Sequence, residues 1–353
     1  MKKSSNITQT QIAHILNLST VTVSKALRDH PDISAETKAR VQKLAEELNY
    51  RPDLIARALS SRKSNIVGAV MPEIDHTFFA SVMKGIQDVA QDHQYQIILM
   101  VSDEDDQKER ESLQTLISMR VDGLLISISR SMYRYDILDM IKSKEIPLVF
   151  FDRALVGSSF SSVVVDDRRG AFAAVQYAIG QGFRKIMHFT GPPKLSIAEE
   201  RKRGYLEAMV KSGISYKDEW IVPCGCYEED GYREFKALIQ TGRIPEAVFT
   251  FNDPVAIGIY DAAKESGLRI PEDIGVIGFS DNIISRYLSP PLTTVMQPAI
   301  EIGKSAMSLL LNQIQNGLPR SPEQIVIPTQ LVVRKSCLKH GSIHNHADRN
   351  EMI

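Results

Sequence analysis

Thr20, Thr22, Ser24 and Lys25 lie within the run TVTVSKAL (20–27), and their chemistry is contact, not bond-making. Set on a helix, short hydroxyls near the N-terminus and a lysine one turn on can reach base edges and phosphates. Val21 between them can meet a thymine methyl. A second group of polar residues follows apolar runs: Asp152 after PLVFF, Asn252 and Asp253 after AVFTF, Ser280 and Asp281 after GVIGF. Carboxylates, an amide and a hydroxyl suit a hydroxyl-rich ligand, although the same residue types also cap helices and turns after strands.

Other chemistries find no residues to carry them. Neither G-x-G-x-x-G nor G-x-x-x-x-G-K-[ST] occurs, so no dinucleotide or P-loop fingerprint is present, and no G-x-S-x-G elbow is visible. Cys224-Gly225-Cys226 has the wrong spacing for a redox or zinc pair, and His344 and His346 have no second anchored pair, so neither metal nor cofactor is expected. The three cysteines make no disulfide framework.

The first group needs helices. In TQTQIAHILNLSTVTVSKAL (8–27), Thr8 with Gln11 matches a capping box and Ser19 with Thr22 marks a second start. Ile12, Ala13, Ile15 and Leu16, then Val23, Ala26 and Leu27, keep helical spacing. The pattern predicts a helix-turn-helix whose second helix, Thr20 to Leu27, lies in a DNA major groove. Thr8 and Arg28, at its flanks, count with Thr20, Val21, Thr22, Ser24 and Lys25 as DNA contacts. A third helix is expected from Ser34, with stripe Val41, Leu44, Ala45 and Leu48 and a stop at Asn49. A generic helical hairpin would share this pattern; charge separates the two. Up to residue 65 eleven basic residues face six acidic ones, a net +5, whereas the remainder carries −6 of the total of −1. A basic head on an acidic body points to a polyanion as partner.

From Ile66 the rhythm becomes β-α-β-α. IVGAVM, QIILMV, DGLLISI and PLVFF alternate with helical stretches, and a second series runs SVVVDD, RKIMHFTG, EAVFTFND and IGVIGFSDN. This is the sign of parallel sheets covered on both faces. Two doubly wound units are expected, around 66–165 and 166–295, with a ligand cleft between them at the strand ends. At 353 residues with 43% hydrophobic and 24% charged content, the composition is that of a globular chain. MKKSSNIT lacks the apolar stretch of a secretory signal, and no run is long enough to span a membrane, so a cytoplasmic protein is expected.

ITQTQIAHILNLSTVTVSKAL, followed by SAETKARVQKLAEELNYRPDLIARAL, closely resembles the DNA-binding headpiece of the lactose-repressor (LacI/GalR) family of bacterial transcription regulators. IVGAVMPEID, VDGLLIS, VFFDR, IGVIGFSD and PPLTTVMQP resemble landmarks of that family's body, so the likeness runs from residue 7 to about 336. It implies a headpiece at 1–50, a hinge helix and linker at 51–65, and a two-lobed, periplasmic-binding-protein-like body at 66–336. The N-lobe would be about 66–165 plus 296–320, the C-lobe about 166–295 plus 321–336, and 337–353 a disordered tail. In the hinge, Leu59 would wedge between base steps in the minor groove while the small Ala56 sits on the groove floor. Arg201 in AEERKRGY matches the effector-binding arginine, and Phe78 and Phe79 match an aromatic pair near the pocket mouth. With Asp152, Asn252, Ser280 and Asp281 they form the expected effector site; Tyr227 or Trp220 could add a stacking surface. The implied partners are a near-palindromic operator, a sugar-like effector and a second copy of the chain.

Two departures stand out. Family members usually carry Gly in the turn at Ile15–Ser19, where this chain has Leu16-Asn17-Leu18; Asn tolerates the left-handed conformation that turn needs. The family often has Asp or Asn where Ser280 stands, and serine removes a charge and shortens the reach. A sugar-binding protein or enzyme of the same two-lobed architecture would have no use for the basic headpiece, so regulation is the expected role.

Overall fold

The computed structural model describes residues 7–50, 63–130 and 136–339, in two compact units divided after Asn65. In the first unit, α1 (Gln9–Leu16) starts at a full capping box. Thr8 Oγ1 accepts the Gln11 N–H at 3.3 Å and the Thr8 N–H donates to Gln11 Oε1 at 2.8 Å. Asn17 closes the helix in the left-handed region at φ 52°, so the turn survives without glycine. Ser19 caps α2 (Thr20–Leu27), and Ser34 caps α3 (Ala35–Glu47), after which Asn49 again turns left-handed. Ile12, Ala13, Val23, Ala26, Val41 and Ala45 form the buried centre; alanine on each helix lets three short segments close over one small core.

The second unit holds two six-stranded sheets. In the N-lobe, β1 (Ile66–Met71), β2 (Gln96–Val101), β3 (Gly123–Ile126), β4 (Leu148–Phe151), β5 (Ser161–Val165) and β11 (Gln324–Ile327) are all parallel, in the order β11-β5-β4-β3-β1-β2. In the C-lobe, β6 (Ile186–Thr190), β7 (Ile221–Pro223), β8 (Ala247–Thr250), β9 (Gly275–Ser280), β10 (Thr293–Met296) and β12 (Gln330–Val332) order as β12-β10-β9-β8-β6-β7, with only β12 antiparallel. Helices α4 (Thr77–Asp92), α5 (Asp106–Ser118), α6 (Asp136–Ser143) and α11 (Ala299–Asn316) serve the first sheet. Helices α7 (Asp167–Gly180), α8 (Ser196–Lys211), α9 (Glu228–Gln240) and α10 (Asp253–Glu265) serve the second. Central strands such as β3, β4 and β8 are buried throughout, which is why they read as unbroken apolar runs.

SVVVDD, expected in the second series, belongs to the first sheet, because β5 pairs with β4 and β11. Two expected boundaries move. The last crossing falls between Ile327 and Gln330, not at 320, because β11 adds parallel to β5 through Gln324↔Ser162 and Ile327↔Val165. The tail does not begin at 337, since Cys337 is fully buried in the C-lobe core and Lys339 lies over the Phe183 ring. The rest of the predicted tail, 340–353, and hinge residues 51–62 with Ala56 and Leu59 lie outside the described residues.

Helix α11 enters the N-lobe after the chain has built most of the C-lobe, and packs backbone to backbone on α4. A Cβ on Gly85 would strike the Ile300 carbonyl, and one on Gly303 the Val82 carbonyl. Gly85→Ala therefore tests close approach against propensity. Helix propensity alone favours alanine by about 1 kcal/mol, whereas overpacking costs about 1–3 kcal/mol. Net destabilisation is expected in urea unfolding followed by circular dichroism; a more stable variant would contradict the close crossing.

Candidate functional site: a DNA-reading helix and an inter-lobe cleft

On α2, Thr20 is exposed and Val21 is 63% exposed, placing an apolar side chain in water where a base methyl could cover it. The neighbouring hydroxyls are engaged within the unit. Thr22 Oγ1 sits 2.8 Å from Ser19 Oγ, and Ser24 takes Arg28 Nη2 at 3.2 Å through its hydroxyl and Nε at 3.1 Å through its carbonyl. Thr8 is held by Gln11. Lys25 Nζ lies 2.8 Å from Asp32 Oδ2, and this partner was not anticipated; it comes from the segment after α2, where sequence periodicity says nothing about approach. Lys25 and, more weakly, His30 hold the Asp32 carboxyl below its usual range.

In the second unit the ends of the parallel strands of both lobes face one narrow cleft. Phe78 and Phe79, Asp152, Arg201, Asn252 and Ser280 all line it, as expected. Asp281 does not. It turns away through a left-handed backbone and faces Arg334 Nη2 at 2.7 Å. Asp253 is a buried pin, accepting the Asn282 N–H at 2.8 Å, Ser285 Oγ at 2.7 Å and Thr294 Oγ1 at 2.6 Å. Trp220 packs at the edge of the C-lobe cores, away from the cleft. Tyr227 stacks on His76 at 6.1 Å instead of lining the cleft.

Arg201 is fixed before any ligand arrives. Its Nε donates to Asp167 Oδ1 at 2.8 Å and Nη1 to the Phe251 carbonyl at 2.6 Å, while the guanidinium lies 3.8 Å from the Phe279 ring centre. Burial pushes the Asp167 carboxyl up to about 7 against the pull of Arg201. Asn252 caps α10 through the Val255 N–H at 3.1 Å and donates to the Cys226 carbonyl at 2.8 Å, so the capping and lining roles coexist.

Several lining residues escaped the sequence reading. Gln297, on the segment crossing from β10 to α11, ties the lobes together: Ser280 Oγ donates to its Oε1 at 3.0 Å, and its Nε2 donates to Asp152 Oδ1 at 3.2 Å. Arg153 donates to Glu104 Oε1 at 2.7 Å, while its buried Nε, 3.9 Å from Asp152 Oδ2, has no hydrogen-bond partner among the described residues. Burial pushes the Asp152 carboxyl up. At the mouth, His76 Nε2 sits 3.3 Å from Glu228 Oε1 and Nδ1 3.4 Å from Glu73 Oε2, and Thr77 Oγ1 donates to Asn282 Oδ1 at 2.9 Å. Gln297 and Arg153 stood in the quoted PPLTTVMQP and VFFDR runs; only the crossing topology reveals that Gln297 faces both lobes. These groups offer donors, acceptors and apolar rings for binding. No group of three or more metal-ligating side chains occurs among the described residues.

Two parallel-sheet lobes around a polar cleft, in a chain that opens with a capped helix pair, define a ligand-sensing DNA-binding regulator. The pattern of "Bacterial regulatory proteins, lacI family" matches residues 10–53, and that of a "Periplasmic binding protein-like domain" matches 175–337. The ribose operon repressor of Haemophilus influenzae is 34% identical over 93% of this chain and 98% of its own. A CelR–cellobiose complex covers 94% of this chain and 99% of its own at 26% identity and TM-score 0.70. The lac repressor dimer bound to operator, at 23% identity over 95% and 100% with TM-score 0.84, shares the fold. The chain belongs to the lacI family of bacterial regulatory proteins, and it is a DNA-binding transcription regulator.

Two outcomes follow from these contacts. Asp32→Asn frees Lys25, so binding to a nonspecific duplex should tighten and its log–log salt slope steepen by about 0.9, one extra phosphate contact; an unchanged slope would remove Lys25 from the interface. The second concerns His76, raised to about 10 chiefly by its hydrogen bond to Glu228 and then by that to Glu73. A proton held more tightly when folded adds stability below the ordinary value of 6.5, and that share fades as pH rises toward about 10. His76→Gln should flatten the loss of melting temperature across that alkaline window; an identical pH profile would show that the bridge carries no stability.

Proposed function

We propose that the protein is a cytoplasmic, homodimeric repressor of carbohydrate-utilisation genes, without enzymatic activity, whose affinity for a near-palindromic operator is set by a sugar in the inter-lobe cleft. The observation that carries this reading is the Ser280–Gln297–Asp152 chain. It lets one small ligand compete for polar groups on both lobes and on the segment between them. The rings of Phe78 and Phe251 supply apolar faces for sugar C–H groups, and the fixed Arg201 supplies a donor already oriented. Likeness to a ribose operon repressor and to a CelR–cellobiose complex supports a sugar. A ligand that binds one lobe arrangement better than the other shifts the population of DNA-competent dimers. Thr20, Val21, Thr22, Ser24, Lys25 and Arg28 read the operator, with Thr8 at the flank, and the hinge resemblance adds Ala56 and Leu59.

Capture of genomic fragments by the full chain at about physiological salt, where nonspecific binding weakens, should return a small set of near-palindromic sites beside sugar genes. On such a site, Arg201→Lys keeps the charge beside Asp167 but loses the planar fork. Operator binding without sugar should stay unchanged while the sugar response weakens by about tenfold or more. No enriched site would overturn the repressor reading, and a full response in Arg201→Lys would take the arginine out of the ligand's reach.

A further inference from the structure

Many cations of the second unit face carboxylates, among them Arg168 with Glu207, Arg233 with Asp230 and Arg334 with Asp281. One end of the C-lobe departs from this. Strands β6 and β8 start side by side, in register as Ile186↔Ala247, at the end of the lobe opposite the cleft. The turns that lead into them, 181–185 and 241–246, carry Arg184, Lys185 and Arg243, and the chain returns to the first turn at Lys339.

All four cations bond neutral oxygens. Arg184 Nη1 donates to the Ile179 carbonyl at 2.8 Å and to the Phe183 carbonyl at 3.0 Å. Lys185 Nζ donates to the Ile244 carbonyl at 2.8 Å, Arg243 Nε to Thr241 Oγ1 at 3.1 Å and Lys339 Nζ to the Gly182 carbonyl at 3.2 Å. Glu246 is the acid on these two turns, and its Oε2 accepts the backbone N–H of Arg184 at 2.7 Å. Four positive charges thus stand against one negative, within a stretch, 66–353, that carries −6 as a whole. The next turn, before β9, bounds the patch, because Arg269 there is paired with Asp273.

Part of this arrangement is helix capping. The Ile179 and Gly182 carbonyls lie at the open end of α7, where cations match the negative end of the helix dipole. Capping does not exhaust the side chains, since a guanidinium has five N–H donors and an ammonium three. Arg184, Arg243 and Lys339 are exposed, so their charge stands at the surface. A phosphate backbone laid across the turns would run on over the acidic remainder of the lobe. A peptide can place carboxylates singly, one on each guanidinium fork.

We propose that this end of the C-lobe is a docking surface for an acidic segment of another protein, whose carboxylates are taken by Arg184, Lys185, Arg243 and Lys339. Docking there leaves the cleft open, so one chain holds partner and effector at once.

Fluorescence anisotropy of a labelled decaglutamate peptide, titrated with the full chain beside excess unlabelled duplex, tests this. The duplex occupies the basic headpiece and leaves the C-lobe to the peptide. Binding is expected to survive the duplex and to fade toward about 1 M salt, where the Debye length is about 3 Å. It should weaken by about tenfold in the double variant Arg243→Glu/Lys339→Glu and persist in Arg243→Lys, which keeps the charge. The double variant leaves the Arg184 cap of α7 in place, and an unchanged melting curve checks its fold. No binding beside excess duplex, or binding indifferent to the double reversal, overturns the surface. A labelled oligothymidylate that binds the duplex-loaded chain more tightly than the peptide, and is lost in the same variant, overturns the acidic-peptide assignment.

Discussion

A guanidinium removed from water must be paired, and in this protein that requirement shapes the whole inter-lobe region. Arg201 is 2% exposed and Arg153 6%, each with a buried carboxylate, Asp167 and Glu104. The pairs fix the arginines before any ligand binds, so the ordering entropy is already spent and the remaining donors stand in place. They also leave Asp152 with Gln297 as its one side-chain hydrogen-bond donor among the described residues. A cleft built this way favours a partner rich in hydroxyls, because the strong charges are neutralised by neighbours and the unfilled capacity is for hydrogen bonds.

The DNA-reading unit obeys a related rule at lower stakes. Thr22, Ser24 and Lys25 are occupied by exposed internal contacts, with Ser19, Arg28 and Asp32 in turn. Exposed contacts of this kind are weak, so exchanging them for phosphate and base contacts costs little. Thr8 and Ser19 cap α1 and α2 and so fix where both helices begin.

Local signals were legible in the sequence and long-range ones were not. Both caps, the span of α2 and the Asn17 turn were readable because each depends on residues three or four apart. The residues expected at the effector site from strand ends and family likeness together, Phe78, Phe79, Asp152, Arg201, Asn252 and Ser280, all line the cleft. What failed was topology and direction. β11 looked like C-lobe sequence because nothing local tells a four-residue strand which sheet it will join. Asp281 stood at the right strand end, but its left-handed backbone turns it toward Arg334, an approach across more than fifty positions. Gln297 was overlooked because its role comes from the crossing it sits on.

The interleaving of the lobes reaches beyond the finished molecule. The N-lobe is completed by α11 and β11, and the C-lobe by β12 and Cys337, so both lobes close only with the last described stretch of chain. A ribosome delivers residues in order, and for most of synthesis the N-lobe sheet has an open β5 edge and a bare α4 face. Neither lobe is a unit that can finish folding while the other is still being made. The price of a cleft wired through three crossings is a nascent chain that must keep apolar surface and strand edges out of the wrong company until the stretch from Ala299 to Cys337 emerges.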